Sequence, residues 1–309
     1  METVEETMMD IMQLNENFAI PGVLAFDTTP SGLVYAEITT PHAKATVYLQ
    51  GAHLASWQPA GQQPVLFLSR RTELLPGKAI RGGVPIVFPW FAGRHDGKAG
   101  PSHGFARLQD WTLAFAALAG DDLHLTFTLG PTDLSRSLGY DHFHVVYQLT
   151  IGRTLTMQLT VGNDADAPLV FEEALHTYYT VADVREVSVT GLEGISYLDK
   201  MDGMQKKMQH GVITITEPVD RVYLNTASAS VLHDKAGRRR ITIAKTSSDT
   251  TVVWNPGEAD AVKLHDLDPS EWHEFLAIET VNAAANAVIL APGAAHTMQA
   301  HVSVEAIEG

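Results

Sequence analysis

The sequence predicts an all-β fold, a large antiparallel β-sandwich. Three observations carry this: apolar and polar residues alternate along many short runs, turn-forming residues separate the runs, and helical periodicity is scarce. Of the 309 residues, 45% are hydrophobic and 18% charged, which supplies a large core and argues against disorder. No repeat, low-complexity tract or linker divides the chain. The expected organisation is an N-terminal extension over residues 1–20 followed by one domain over residues 21–309.

Taken in order, residues 4–15 suit a short amphipathic helix with Val4, Met8, Ile11 and Met12 on its apolar side. Leu123, Leu125, Phe127 and Leu129 share one face of a strand. Phe143 to Ile151 and Leu155 to Val161 repeat the pattern. Further runs cover 212–216, 241–245, 251–254 and 297–304. Gly152-Arg153, Gly162-Asn163-Asp164 and Asp234-Lys235-Ala236-Gly237 supply turns. Asp268-Pro269-Ser270-Glu271 can open a short helix, with Asp268 as its cap.

Composition excludes several classes of function. There is no cysteine, so disulfides, thiolate metal ligands and cysteine nucleophiles are out. The net charge of −15 repels nucleic acid and anionic membranes, so neither is an expected partner. The same field repels a small anionic substrate unless the site supplies local cations. The N-terminal residues are acidic where a signal peptide is basic, and no apolar stretch is long enough to span a bilayer. A cytoplasmic, monomeric protein is expected.

Four segments break the alternation. Arg81-Gly82-Gly83-Val84-Pro85-Ile86-Val87-Phe88-Pro89-Trp90-Phe91 has paired glycines that admit a ligand or another strand, and two aromatic rings suited to a sugar face. Its plainer reading is a proline-bounded core loop. Ser102-His103-Gly104-Phe105-Ala106-Arg107 joins a donor, a glycine and a fixed cation able to hold an anion through two bonds, or else is a turn with a surface arginine. In Glu172-Glu173-Ala174-Leu175-His176-Thr177-Tyr178-Tyr179, a strand would put Ala174, His176 and Tyr178 on one face. His176 is there a proton donor or acceptor, or a satisfied core histidine. In Phe275-Leu276-Ala277-Ile278-Glu279-Thr280, the carboxylate either ends the strand in solvent or is buried for use as a base. Trp254-Asn255-Pro256-Gly257 is a strand running into a turn.

Together with DRVYLN and VVWNPG, these segments occur in the order seen in the glucose-6-phosphate 1-epimerases, or hexose-6-phosphate mutarotases, within the wider aldose 1-epimerase group. The chain resembles that family from about Val47 to Val304. The resemblance implies a galactose mutarotase-like supersandwich and interconversion of the α and β anomers of an aldohexose 6-phosphate, without cofactor or metal. It implies that His176 is the acid/base at the ring oxygen and Glu279 the base for the anomeric hydroxyl. His103 and Asp220 would bind the sugar, and Arg81 and Arg107 its phosphate; on charge alone, Arg94 and Lys98 in a loop are weaker candidates. Thr180 stands where some fungal relatives carry arginine. The expected reactive state has Glu279 ionised and His176 protonated.

Three rival readings remain. A non-catalytic carbohydrate-binding sandwich needs the aromatics but no acid–base pair. A free-aldose epimerase needs no phosphate contact. A metal enzyme could use His142 and His144 on one strand face, yet no third ligand has a matching spacing.

Overall fold

Alternation decides which face of each strand turns inward. The structure, a computed structural model, describes residues 4–307. Strand Asp122–Leu129 buries Leu123, Leu125, Phe127 and Leu129 and leaves His124 and its polar neighbours half-exposed, as the period of two requires. Strands Phe143–Ile151 and Leu155–Asn163 repeat this. These three belong to a nine-stranded sheet, in which the long C-terminal strand Ala295–Ala306 lies between Arg239–Thr246 and Leu155–Asn163.

Against it lies an eight-stranded sheet. Its order is Gln205–Met208, Ser196–Asp199, Val219–Leu224, Thr250–Asn255, Phe275–Asn282, Glu173–Leu175, Ile86–Val87, with Tyr178–Thr180 also pairing to Phe275–Asn282. Every pairing within the sheets is antiparallel. Leu276 and Ile278 from this sheet and Leu159, Val161 and Met298 from the other meet in one continuous core. A four-stranded sheet over residues 24–59 and a two-stranded pair complete the molecule.

The expected N-terminal helix forms over Val4–Phe18. The side chains of residues 4–10, among them Val4 and Met8, lie outside the described residues. Its inward side is set by Leu14 and Phe18, while Met12 is 63% exposed, contrary to the expected stripe. Asn15 docks the helix by exchanging two 2.9 Å hydrogen bonds with the backbone of Phe26. The Asp268 signal becomes a 3₁₀ helix, Pro269–Glu274, with both capping-box bonds made. The buried Glu271 carboxylate in that box also accepts from Ser69 Oγ and the Arg70 amide, tying the helix to the loop that leads to Arg81. Two five-residue helices, Asp133–Ser137 and Gly257–Ala261, were too short to show a period. The 212–216 run is a strand only at Ile213–Thr214. Among the described residues no helix is long and apolar enough to cross a membrane.

Candidate active site

The eight-stranded sheet has one face on the core and one face outward, and its register gathers chemistry on the outward face. Asp220 lies opposite Trp254, Trp254 opposite Ala277, and Ala277 opposite Tyr178. Directly paired residues share a face, so three functional side chains fall in one row across four strands. Glu279 is two residues beyond Ala277 and therefore on the same side. The expected strand through His176 is interrupted. Glu173–Leu175 and Tyr178–Thr180 are separate, and the break holds the His176 amide on the Pro85 carbonyl. The shared face survives the break, since the His176 ring stacks on Tyr178 with centroids 4.9 Å apart and planes 11° from parallel. Trp254 stands edge-on to both rings.

His176 and Glu279 meet. His176 Nε2 lies 3.3 Å from Glu279 Oε1, with both side chains almost wholly buried. The other atom of each pair, His176 Nδ1 and Glu279 Oε2, has no hydrogen-bond partner among the described residues. Buried polar atoms are rarely left unpartnered without a purpose. Burial pushes the imidazole well below its usual range, helped by His103, Arg107 and Arg81. Burial also raises the Glu279 carboxyl well above the usual carboxylate range, against the pull of Lys200. Desolvation thus favours the uncharged pair, a neutral imidazole beside a carboxylic acid. This reverses the resting proton position expected from the sequence. The neutral pair and the ion pair hold the same number of protons and differ by one transfer across the contact.

Loops bring the remaining groups over this face. In Arg81-Gly82-Gly83, a Cβ on Gly83 would lie 2.4 Å from the Leu54 carbonyl oxygen, and Gly83 has φ +58. The paired glycines therefore admit neighbouring backbone, not a ligand. The Gly83 amide donates to Phe67 and its carbonyl accepts from Tyr178, which fixes Arg81 beside the sheet. Arg81 Nη1 donates to the Tyr178 hydroxyl at 2.9 Å and Nη2 pairs with Asp266 at 3.1 Å. Burial opposes the Arg81 charge, and Tyr178 and Asp266 more than restore it.

In Ser102-His103-Gly104-Phe105-Ala106-Arg107 the chain crosses the positive-φ region at His103 (+62) and Gly104 (+73). A Cβ on Gly104 would sit 2.0 Å from the Phe88 carbonyl oxygen. The turn places the His103 ring edge-on to His176 at 5.5 Å. His103 Nδ1 accepts from the Ala92 amide, and burial holds the ring neutral with its pKa pushed down to about 3, so Nε2 carries the proton and can donate. Arg107 Nη2 donates to the Ser102 carbonyl, while its buried Nε is unpartnered. Desolvation, opposed by Tyr178, Asp266 and Glu279 and reinforced by Arg81, pushes Arg107 down to about 10.

All six residues singled out in the sequence, His176, Glu279, Arg81, His103, Arg107 and Asp220, line one cavity of about 300 Å³. Sequence reasoning missed Lys200 and Leu264 on its walls, placed Tyr178 on the face of His176 without giving it a role, and ranked Trp254 as a minor landmark. Lys200 pairs with Asp220 at 3.2 Å and sits over the Phe91 ring. Burial raises the Asp220 carboxyl while Lys200 lowers it. A second cavity of about 300 Å³ shares Arg81, Ser102, Arg107 and Tyr178 with the first and adds Lys78, His265 and Asp266. Arg81 and Arg107 thus stand in the wall between an inner and an outer chamber.

Some sequence candidates are not recruited. Phe91 lines the inner cavity, but Trp90 turns away to pack on Phe105 and Tyr140. Arg94 is spent on Asp96 and the Trp90 ring, and exposed Lys98 also reaches Asp96, so neither enters the cavity. His142 and His144 face Asp141 and Asp164 separately. A larger hollow of about 410 Å³ also holds a His–carboxylate contact, His95 with Glu172. There the carboxylate is engaged by the amides of Phe91 and Ala284, and His95 is largely exposed, so the contact anchors backbone.

The inner cavity holds the His176–Glu279 pair among hydrogen-bonding side chains, and the outer one presents Arg81, Arg107 and Lys78. The family model described as aldose 1-epimerase matches residues 36–303. The chain is 36% identical over 260 residues to an Escherichia coli K12 protein named "putative glucose-6-phosphate 1-epimerase", covering 84% of this chain and 86% of that one. A Salmonella typhimurium LT2 protein of the same name is 37% identical over 246 residues, covering 79% and 82%. The fold matches the crystal structure of a "putative mutarotase" from Salmonella typhimurium with a TM-score of 0.87 and 31% identity, over 94% of this chain and 96% of the other.

Proposed function

The chain belongs to the aldose 1-epimerase family, and on that premise we propose that it interconverts the α and β anomers of an aldohexose 6-phosphate, glucose 6-phosphate foremost. The observation that carries this is the 3.3 Å contact of His176 with Glu279 beside a chamber walled by two arginines. A non-catalytic sugar-binding domain has no use for such a pair.

Ring opening removes a proton from the anomeric hydroxyl, O1, and delivers one to the ring oxygen, O5. Both oxygens are bonded to C1, so the base and the acid must be neighbours, as these two side chains are. Glu279 Oε2 takes the O1 proton while His176 Nε2 gives its proton to O5. The C1–O5 bond breaks as the C1–O1 double bond forms. The aldehyde turns about C1–C2, and the reverse transfers close the ring on the other face. Opening leaves Glu279 protonated and His176 neutral, which is the state burial favours. The site is therefore matched electrostatically to the opened sugar rather than to the bound ring.

Turning C1 while the rest of the sugar stays fixed requires anchors remote from C1. His103 through Nε2 and the Lys200–Asp220 pair suit hydroxyls, and Trp254 and Phe91 suit the ring's apolar faces. Arg107, with no carboxylate in contact among the described residues, and Arg81 suit the phosphate, with Lys78 from the outer chamber. A site formed within one chain supports a monomer, which sedimentation at assay concentration checks. A charged sugar that cannot cross a membrane unaided supports a cytoplasmic location.

Arg81→Ala and Arg107→Ala test the phosphate assignment in an anomer-specific coupled assay. Each is expected to lower kcat/KM for glucose 6-phosphate by roughly tenfold to a hundredfold, the worth of a charge-assisted contact, and to affect free glucose far less. Arg107→Lys should not fully restore it, since a point charge lacks the planar fork. Equal losses on both sugars would make the protein an epimerase of free aldoses.

A further inference from the structure

We propose that the outer chamber is an activating site: an oxyanion held there by Arg81 and Arg107 accelerates anomer exchange in the inner chamber through Tyr178, whether or not it is covalently attached to the sugar. This rests on the reading that the two arginines take the substrate's phosphate, and goes beyond it by giving the phosphate a part in the chemical step.

The route is short and made of direct contacts. Arg81 Nη1 holds the Tyr178 hydroxyl at 2.9 Å, and the Tyr178 ring lies face to face with His176 at 4.9 Å. Tyr178 is buried and braced by Trp254 and Phe275, so it transmits a shift of its hydroxyl end as a rigid plate. Arg81 and Tyr178 belong to both chambers. An anion against the arginines therefore alters the setting of a ring that forms one face of the acid's pocket.

Charge points the same way. The positive field on His176 comes in part from Arg107 and Arg81, and both oppose its protonation. Arg81 is among the charges acting on His176 and not among those acting on Glu279. Arg81 already has Asp266, whereas Arg107 has a carbonyl for a partner and an unpartnered buried Nε. Without an anion, Arg81 biases the pair toward its neutral form, whereas Arg107 also favours the ionised Glu279 and its effects on the transfer oppose one another. A dianion that offsets Arg81 removes this bias and favours proton transfer from Glu279 to His176, which produces the base and acid that ring opening requires. Binding energy from a remote part of the substrate is thereby used in the reaction itself.

The test separates the two parts of the substrate. Free glucose supplies the ring and inorganic phosphite supplies the oxyanion, and anomer exchange is read by magnetisation-transfer NMR. The His176→Asn protein at the same phosphite concentration corrects for catalysis by the buffer ion. Saturating phosphite is expected to raise kcat/KM for glucose about tenfold, within the roughly 5–150-fold range of coupling between two sites. It should also compete with glucose 6-phosphate. Tyr178→Phe keeps the stacked ring and removes the hydroxyl that Arg81 holds. It should preserve the competition constant while reducing the phosphite acceleration, whatever its effect on the unassisted rate. Phosphite that competes without accelerating would overturn the proposal and leave the phosphate assignment intact. Phosphite that neither competes nor accelerates would overturn both. Undiminished acceleration in Tyr178→Phe would overturn the role of Tyr178.

Discussion

At the scale of single residues, the decisive feature is that His176 and Glu279 are buried together and shift in opposite directions. On the proposed mechanism activity requires one proton on the pair, and the free protein keeps that state between the lowered imidazole and the raised carboxyl. The acid limb of kcat/KM is therefore expected below the ordinary imidazole value of 6.5. Free glucose is the substrate to use, because it carries no phosphate that titrates near ~6. An acid limb at or above 6.5 would mean that solvent reaches His176 in the free enzyme. Stability gives an independent check. Glu279 has a folded pKa above its unfolded value of about 4.5, so the folded state binds more protons and loses stability as pH rises through that window. Glu279→Gln removes this loss. At neutral pH its Tm should equal or exceed that of the parent, and the difference should close as pH falls below 4.5. A variant much less stable at neutral pH would show that the carboxylate has a structural role.

At the scale of elements, strands such as Asp122–Leu129 were legible because one face lies on the core and period-two burial is written into Leu123 to Leu129, whereas the strands of residues 24–59 and Thr112–Ala119 were not read from the sequence. The candidate site was legible where an unusual residue interrupts that pattern, as Glu279 does in an apolar strand. Lys200 and Asp266 left no such mark. They stand in polar segments, and their place in the two chambers depends on strand register and loop packing that local periodicity does not encode. Trp90 misled as well: in the bend after Ile86–Val87 it packs on Phe105 and Tyr140, while Phe91 lines the cavity. The glycines of the loops have a definite task. Gly104 holds the turn between His103 and Arg107, and an alanine there would combine a left-handed backbone, which costs roughly 1–2 kcal/mol, with a clash on the Phe88 carbonyl. Gly104→Ala is expected to lower Tm by several degrees and to raise KM for glucose 6-phosphate more than it raises KM for glucose, as Arg107 is displaced. Unchanged Tm and KM would mean that the turn adapts without moving either side chain.

At the scale of the whole molecule, the sandwich acts as a rigid base that brings distant segments to one face. Buried ties support it: Arg239 pairs with Asp234 and donates to the carbonyls of Gln63, Pro64 and Thr180, joining both large sheets. The net charge of −15 opposes an anionic substrate at long range, so the two arginines between the chambers must overcome it locally. On the proposed mechanism, this surface and this pair together make an anomerase for a phosphorylated hexose. Magnetisation-transfer NMR on an equilibrium mixture of glucose 6-phosphate anomers tests it directly, because α and β signals exchange intensity only as fast as the ring opens. With the enzyme present, exchange should rise well above the spontaneous rate and exceed that for free glucose. His176→Asn and Glu279→Gln, folded as judged by circular dichroism, should each lose roughly 10²–10⁴-fold of that acceleration. Exchange that stays at the spontaneous rate with the parent protein, or that persists undiminished in either variant, would contradict the account.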